Sequence, residues 1–438
     1  MDNNLKKLIL EEIKPSLKEE KEFEKIVNDL LNILNKAALE LSLDVDFLVG
    51  GSFGKKTYLK GTFDVDIFTR FSLKYEDSQL STLTKEILDK ANLKYLKQKG
   101  SRDYYSGFFG KNKKIYFELV PNFKIKNIED AKNTTDFSPL HLLFLQEKIK
   151  KNPNLTDEIR LAKQYFKSKS LYGAESYINA FSGHTIDLLI VYYQSLENLI
   201  KSGKNWGEET IIDINNFYSN PFDIKKYIDK SKQSNLIIVD PIDSQRNASR
   251  ALNRDNYGKF ILTCINQKEF SKKDFQIKKI SFEKLISNAK NFEKKSLTTC
   301  LIYKLKFNLN DQSQDIVGTK MLKVFEKIED YFISFDFNIF NSNFHINMNT
   351  CECLFIYFLK QKNLNSFKLI SGPNVNLTNA VENFILDKQE VFVKNFKVCY
   401  YQKRDITNIN QISKIDIKKT QTLFSKDLSC LEKIELLD

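Results

Sequence analysis

The sequence lacks the features that place a protein in a membrane or send it out of the cell. None of its apolar runs reaches the roughly 18 residues that a helix needs to cross a bilayer. Its first residues, MDNNLKKLILEEIK, include acidic side chains and no apolar stretch followed by a small-residue cleavage site, so no signal peptide is predicted. We therefore expect a cytoplasmic protein without a membrane partner.

Cysteine is scarce, with six residues in 438, and the spacing of these residues is irregular. The close pair, Cys351 and Cys353, lies in an alternating strand pattern and has no second pair or histidine at zinc-site spacing. The cysteines are therefore predicted to be reduced side chains that pack in the interior. Repeats of solenoid length and low-complexity segments are also missing from the sequence.

What the sequence does have is length, apolar content and positive charge. Its 42% hydrophobic and 28% charged residues are typical of folded globular proteins, and this length suggests about two to four domains. The net charge of +12 and the pI near 9.0 favour a polyanionic partner, either nucleic acid or anionic lipid. Lysine outnumbers arginine, which favours contacts with phosphates over the reading of bases.

The segment LVGGSFGKKTYLKGTFDVDIFTRF, which begins at Leu48, contains a pattern that binds anions. A short predicted strand leads into Gly50 and Gly51, and a short helical run follows. Two glycines let backbone amides approach an anion, and the start of a helix presents unpaired N–H groups. Ser52 can add a hydroxyl donor and Lys55 a positive charge, so the segment predicts a phosphate-binding turn.

Three acidic residues are predicted to share one face of a sheet beside this turn. Asp64 and Asp66 are two residues apart in a strand, so their side chains project to the same side. A later strand, predicted at 114–120, alternates so that Glu118 leaves the face opposite the apolar set. Oxygen ligands grouped in this way suit Mg²⁺. A shift of one residue in the register of the later strand would turn Glu118 to the other side.

Capping residues predict where three helices begin. Ser16 and Glu19 have the spacing of a capping box. Ser138 stands before a proline, the order that is common at a cap and the first helical position. Ser182 precedes an apolar stripe that predicts one helix over 183–200.

The rest of the chain predicts a mixture of helices and strands. A strand at 236–239 is followed by the residues DPIDSQRN and by a helix at 248–264, and the lysine-dense segment 267–284 is typical of a domain joint. Beyond it, helices are predicted at 318–331 and 376–386, and strands at 353–359 and 396–401.

These motifs resemble those of the archaeal-type (class I) CCA-adding enzymes, which are tRNA nucleotidyltransferases of the DNA polymerase β superfamily. The resemblance covers nearly the whole chain and is specific in three places. These are GGSFGKKTYLKGTFDVDIF; then SPLH followed by DEIRLAKQYFKSKSLYGAE and FSG; and VDPIDSQRN.

The resemblance implies an α+β protein with a polymerase β-like nucleotidyltransferase head, a helical neck, and a mixed α/β body and tail. It implies a catalytic head at 1–137, a neck that binds nucleotide and acceptor end at 138–266, and a tRNA-binding body and tail at 267–438. The family commonly forms homodimers.

The implied activity is template-independent addition of C, C and A to the 3′ end of tRNA from CTP and ATP, by two-metal transfer with Mg²⁺. Asp64, Asp66 and Glu118 are implied to be catalytic and to hold the metal ions. The nucleotide-binding residues implied are Gly51, Ser52, Lys55, His141, Lys163, Tyr172 and Arg246, with Asp243 and Asn247 near the incoming base or the acceptor end.

The sequence departs from the family in two places and leaves other interpretations open. Lys55 stands where the family commonly has arginine, and Glu118 stands where it usually has aspartate. His141 is also consistent with a core or capping histidine, Lys163 with a lysine on a helix surface, Tyr172 with a half-buried tyrosine, and Arg246 with a local ion pair to Asp240 or Asp243. His184 and His345 are assigned structural roles.

Rival functions are a poly(A) polymerase-like or other polymerase β-type nucleotidyltransferase, and a non-catalytic RNA-binding relative. The second is disfavoured because a site without activity has no reason to keep three carboxylates close together at an electrostatic cost.

Overall fold

The computed structural model describes the chain except residues 63, 113, 279, 311, 389, 425–427 and 438, and except the side chains of residues 221, 222 and 424. The chain forms two compact units, Met1–Lys278 and Lys279–Asp438. The division between them lies in the lysine-dense segment 267–284, and the separation of head from neck stays a prediction. Among the described residues, no helix combines the length and the apolar character that a membrane crossing requires.

The first unit contains both helices and strands, and most of its regular structure is helical. Its helices are α1 (Asn3–Ile13), α2 (Leu17–Glu40), α3 (Gly51–Gly54), α4 (Leu80–Lys90), α5 (Phe137–Lys151), α6 (Leu155–Ser168), α7 (Gly183–Tyr193), α8 (Leu196–Gly203), α9 (Pro221–Tyr227) and α10 (Arg254–Asn266). Its strands are β1 (Val45–Val49), β2 (Asp64–Phe71), β3 (Leu96–Gln98), β4 (Tyr104–Phe109), β5 (Ile115–Phe123), β6 (Thr210–Asp213) and β7 (Leu236–Val239).

A five-stranded mixed sheet in the order β1-β2-β5-β4-β3 forms the centre of the N-terminal part. β2 runs antiparallel to β1 and parallel to β5. One face of the sheet carries Val65, Ile67, Phe117 and Leu119, which are buried in a single core with the apolar stripes of α2 and α4. The alternation predicted for β2 and β5 is therefore confirmed, and their polar residues lie on the opposite face.

The predicted start of α2 is confirmed, because Ser16 and Glu19 form a capping box. The apolar stripe predicted after Ser182 is also helical, with Ser182 as the N-cap of α7. The single helix predicted over 183–200 is wrong, however. Gln194 adopts a left-handed conformation with φ 66° and ends α7, and Ser195 then caps the separate helix α8.

Two further predicted helix starts are shifted. α5 begins at Phe137 with Asp136 as its N-cap residue, so Ser138 is not the cap. The helix predicted at 248–264 begins only at Arg254, because the side chain of Asn253 accepts the N–H of Asn256 and caps it there.

The second unit is built on a four-stranded antiparallel sheet in the order β14-β8-β10-β9, and β11, β13 and β12 form a smaller sheet. Its elements are β8 (Thr299–Phe307), β9 (Ile339–Asn347), β10 (Glu352–Leu359), β11 (Phe367–Asn374), β12 (Phe392–Lys394), β13 (Lys397–Lys403) and β14 (Leu431–Leu437), with α11 (Phe282–Ser296), α12 (Gln314–Ser334), α13 (Thr378–Ile385) and α14 (Ile417–Phe424).

The middle strands of this sheet are buried on both faces. Tyr303 and Tyr357 lie in one core with α12, and Ile302 and Ile356 lie in another core with α11. This explains why β10 reads as a continuous apolar run. Cys353 is a buried free thiol in this strand, so its predicted packing role is confirmed.

Candidate active site

The glycine turn and the acidic strand β2 touch each other directly. Gly51 begins α3 with φ +55°, and a Cβ built on it would lie 1.7 Å from Oδ2 of Asp66. The N–H of Gly50 donates to the backbone carbonyl of Asp66 at 2.7 Å. Position 51 therefore requires glycine both for its backbone conformation and for its space. The predicted phosphate-binding turn lies beside one of the predicted metal ligands.

The three predicted carboxylates lie on the same face of the sheet. Asp66 is paired with Glu118 in the parallel register of β2 and β5, and Asp64 is two residues before Asp66 on the same side. Burial raises the pKa of all three groups. For Glu118 the negative charges of Asp66 and Asp64 add to burial and bring the pKa to about 7. The face therefore concentrates negative charge that a bound cation would relieve.

The three carboxylates do not form a tight cluster. Within the described part of the chain, the potential metal ligands that lie within 4.8 Å of one another as a group of three are the ligand atoms of His141, His184 and Asp240. Asp64, Asp66 and Glu118 share a face but are not drawn together to that extent. Mg²⁺ is usually held by one or two carboxylates together with water and substrate phosphates. An open set of oxygen donors next to an anion-binding turn fits a metal that is bound jointly with a phosphate-bearing substrate.

Two predicted nucleotide-binding lysines meet at a carboxylate that sequence reasoning missed. Lys55 Nζ donates to Oδ2 of Asp187 at 2.9 Å, and Lys163 Nζ lies 3.3 Å from Oδ1 of the same residue. Lys163 also donates to the hydroxyl of Thr57 at 2.9 Å. Burial opposes ionisation of Asp187, but the charges of Lys163 and Lys55 outweigh it and lower the pKa of Asp187. Lys163 is thus buried, and the alternative of a lysine on a helix surface is wrong.

Tyr172 lies near the same charges. Burial, together with the negative charges of Asp187, Glu175 and the β2 carboxylates, raises the pKa of Tyr172 to about 12. The ammonium of Lys167 lies 4.9 Å from the centre of the Tyr172 ring, and the charge of Lys167 opposes the rise in the pKa of Asp64. Lys167 is a second residue that sequence reasoning missed, although it follows Lys163 by four residues on one helix face.

His141 and Arg246 form a second cluster, with Asp240 between them. Nε2 of His141 lies 2.7 Å from Oδ1 of Asp240, and the guanidinium of Arg246 donates to Oδ2. Asp240 is fully buried, and its hydrogen bond from His141 and the charges of His141 and Arg246 outweigh burial and lower its pKa to about 2. The local ion pair considered for Arg246 is therefore present. His184, which was assigned a structural role, has its ring centre 4.5 Å from that of His141.

Asp243 and Asn247 of the DPIDSQRN segment both make hydrogen bonds within the protein. Asp243 accepts the N–H of Gln245 within the turn. Asn247 is buried, and its amide accepts from the N–H of Ile238 and donates to the carbonyl of Leu236. Its amide also donates to the carbonyl of Lys232 and accepts the N–H of Ser249, so Asn247 joins strand β7 to the segments on either side of it.

The N-terminus of α7 connects the two clusters. His184 and Asp187 are three residues apart in this helix, so they lie on one face. Gln146 of α5 also donates to the carbonyl of Gly54 at 2.9 Å and ties the helical region to the glycine turn. The predicted carboxylates, glycine turn, lysines, tyrosine and histidine thus come together from the central sheet, α5, α6 and α7.

The pH dependence of stability provides one test of this arrangement. Burial and the positive charges of His141 and Lys55 lower the pKa of His184 to about 3, from an ordinary value of 6.5. The unfolded chain therefore binds one more proton than the folded chain between these values, so stability falls as the pH drops below 6.5. We expect the free energy of unfolding to fall by up to about 1.4 kcal/mol per pH unit from this group.

The measurement is denaturant unfolding between pH 7.5 and 5 for the wild type and for His184→Asn. The variant should show a shallower decline across this range, since Asp240 stays ionised throughout it. Equal slopes for the two proteins would show that His184 is not held neutral.

Comparison with known proteins places the chain in a family. Residues 157–277 match the tRNA nucleotidyltransferase second domain, and residues 298–434 match the C-terminal domain of CCA-adding enzymes. The chain is 30% identical to the CCA-adding enzyme of Methanococcus maripaludis strain C7 over 93% of its own length and 89% of that protein. It is 28% identical to the enzyme of Methanocaldococcus jannaschii and 26% identical to that of Sulfolobus acidocaldarius, covering 89% of each.

Solved structures share the fold at much lower identity. A structure of Cid1, described with RNA terminal uridylyl transferase activity, has a TM-score of 0.51 at 15% identity and covers 64% of this chain and all of that one. A cytoplasmic RNA terminal U-transferase has a TM-score of 0.50 at 15% identity, over 64% of this chain and 98% of that one.

The chain thus has the predicted α+β fold, which it shares with these solved structures, and its matched domains are those of tRNA nucleotidyltransferases and CCA-adding enzymes. The sequence identity is more specific. The chain belongs to the family of CCA-adding enzymes.

Proposed function

We propose that this protein adds C, C and A to the 3′ end of tRNA from CTP and ATP, without a template. Membership of the CCA-adding family over 93% of the chain carries this proposal. The geometry supports it, because three carboxylates, a glycine turn, the buried Lys163 and the largely buried Lys55 lie together in the first unit.

Asp64, Asp66 and Glu118 are the proposed catalytic and metal-binding residues. Bound Mg²⁺ would lower the pKa of the attacking ribose hydroxyl and neutralise the charge of the triphosphate and its leaving group. The residues fit such ions because they offer oxygen donors on one face at an electrostatic cost, which is visible in their raised pKa values. Their part in the reaction is to hold charge and substrate in place.

The triphosphate is proposed to lie between the glycine turn and the lysines. Gly51 and Ser52 begin α3, whose N–H groups and neighbouring backbone suit an anion. Lys55 and Lys163, which both pair with Asp187, add positive charge. Tyr172 lies close to Asp187 and to the proposed catalytic carboxylates. Pyrophosphate would leave from this side of the site.

The choice between C and A must come from hydrogen bonds to the base, because no template strand is used. Arg246 is the candidate side chain, and its pairing with Asp240 fixes the direction of its guanidinium. His141 shares Asp240 with Arg246, so we place its nucleotide contact at the same end of the site.

The remaining partners follow from charge and from the family. We expect the tRNA to bind mainly through its shape and phosphates, because the net charge of the chain is +12. A homodimer and a cytoplasmic location are further proposals, as is the division into a head at 1–137, a neck at 138–266 and a body and tail at 267–438.

The test is a set of tRNA transcripts that lack the last three, two or one nucleotides of C-C-A, each incubated with one nucleoside triphosphate at a time. CTP alone should add two residues to the shortest transcript, and ATP alone should add one residue to the transcript that ends in C-C. Addition should stop at the complete end.

Each rival function gives a different product pattern. A long tail of one base would indicate a poly(A) polymerase-like enzyme, and nucleotide transfer without RNA would indicate a nucleotidyltransferase for small molecules. Binding of tRNA without any incorporation would indicate a non-catalytic relative.

A further inference from the structure

We propose that Asp187 is a positioning residue, which holds the ammonium groups of Lys55 and Lys163 at the triphosphate end of the site. The proposal rests on the proposed function, because it concerns the same nucleotide. It adds a residue that the predicted site does not contain, on a helix whose neighbouring residues are apolar.

Asp187 is a buried charge. The side chain of Asp187 is 1% exposed, and it lies among Ile186, Leu188 and Leu189 in the core-facing part of α7. A carboxylate in such a place is costly unless cations pair with it. Both oxygens of Asp187 face lysines, Oδ2 at 2.9 Å from Lys55 and Oδ1 at 3.3 Å from Lys163. The arrangement leaves a net charge of +1 for the two lysines and the carboxylate together.

Lys55 and Lys163 have more N–H donors than the described part of the protein itself uses. An ammonium group has three N–H donors. Among the described residues, Lys55 directs one donor to Asp187, and Lys163 directs one donor to Thr57 while its ammonium lies at ion-pair distance from Asp187. Donors on both lysines therefore stay available, in directions that Asp187 and Thr57 fix. A lysine side chain is flexible and carries its charge at one point. Because Asp187 already restricts the conformations of both lysine side chains, less conformational entropy is lost when phosphate oxygens bind them.

The location of the two lysines also supports the proposal. Lys55 directly follows α3, which begins at Gly51 beside Asp66. The lysine pair is thus next to the proposed reaction centre, and the loss of Asp187 would leave two ammonium groups that repel each other there.

The test measures how strongly the β- and γ-phosphates contribute to nucleotide binding. Dissociation constants for CTP, ATP and CMP are measured calorimetrically with the full-length wild type and with Asp187→Asn. We expect the variant to bind CTP and ATP about tenfold or more weakly, by the same factor for both, and CMP within about twofold of the wild type. In steady-state assays, KM should rise for both triphosphates by that same factor while kcat changes less.

A matched control is Asp136→Asn. Asp136 is also a fully buried carboxylate with a cationic partner, Arg102, and its other hydrogen bonds come from the backbone N–H groups of Phe123, Lys132 and Asn133. This variant should lose thermal stability and keep the ratio of CTP to CMP affinity. Asp187→Glu keeps the charge and should recover most of that ratio. Lys55→Met should make the further change Asp187→Asn nearly silent for CTP, because the two residues act together.

Equal losses for CTP and CMP, or an unchanged CTP affinity with a lower thermal midpoint, would overturn the proposal and leave Asp187 a structural residue. If Asp187→Asn does not fold, the ratio of CTP to CMP affinity in Asp187→Glu and in Lys55→Met tests the proposal. A Lys55→Met variant that keeps the wild-type ratio would then contradict the proposal. A wild type that binds no CTP would refute the proposed function instead.

Discussion

Replacing Asp66 with asparagine is expected to lower the rate of CMP addition to tRNA by about 10³-fold or more without unfolding the protein. A metal-based account assigns several kcal/mol of transition-state stabilisation to the ligands of the ions, and each ~1.4 kcal/mol is a factor of ten. Asp66 lies against Gly51 and opposite Glu118, at the centre of the proposed site.

The same change should leave the thermal midpoint of the metal-free protein unchanged or higher. Burial and the charge of Asp64 raise the pKa of Asp66, which means that the fold does not favour its ionised form. A neutral amide removes that cost. The measurement is single-turnover transfer of label from CTP to a tRNA that lacks its 3′ end, with a thermal melt of the same preparation.

Asp46→Asn is the matched control for this variant. Asp46 lies on the neighbouring strand β1, where it pairs with Arg70 at 2.6 Å and Lys124 at 2.7 Å. Its loss should cost some stability and leave the rate within about twofold, since surface ion pairs contribute about 0–1 kcal/mol. Near-normal addition by Asp66→Asn would remove the carboxylates from the mechanism.

The second large effect is expected for Gly51→Ala, which should lower the rate of addition by about 10²-fold or more. The new Cβ would lie 1.7 Å from Oδ2 of Asp66, so the carboxylate must move. Displacement of a catalytic group by about 1 Å can cost 10²-fold. Affinity for CTP should fall as well, because the turn that carries the amides must shift with it.

Gly61→Ala separates this effect from backbone strain. Gly61 also has a positive φ, of +81°, but a Cβ at this position meets nothing within 4 Å. Both substitutions should therefore cost about 1–2 kcal/mol of stability for the left-handed backbone, and only Gly51→Ala should lose activity. Equal rates for the two variants would show that the contact between Gly51 and Asp66 is unimportant.

The parts of the site that could be predicted from sequence are those set by local periodicity. Asp64 and Asp66 share a face because they are two residues apart in a strand, and Glu118 follows the same alternation in β5. The capping box of Ser16 and Glu19 and the glycine turn are also local patterns. Each of these predictions needed only the residues within a few positions of one another.

The parts that could not be predicted depend on distant pairs. Asp240 meets His141 across 99 residues, and Asp187 meets Lys55 across 132 residues. No periodicity relates such positions, because each pair joins elements that are far apart in the sequence. A carboxylate inside the apolar run of α7 was the one available signal for Asp187, because a buried charge needs a partner.

The end of α7 shows a different limit. Gln194 interrupts an apolar helical pattern by adopting a left-handed conformation, which is uncommon for a residue that is not glycine. Its side chain donates to the carbonyl of Val191 and accepts from Asn152, so the contacts that stabilise this turn come partly from another helix. Tertiary structure thus overrides the local pattern here.

The most direct test of the central claim is an anomalous-difference map from crystals grown with CTP and Mn²⁺. The account predicts Mn²⁺ peaks about 2.0–2.2 Å from carboxylate oxygens of Asp64, Asp66 and Glu118, in contact with the triphosphate. A strongest peak at His141, His184 and Asp240 instead, with none at the three carboxylates, would contradict it.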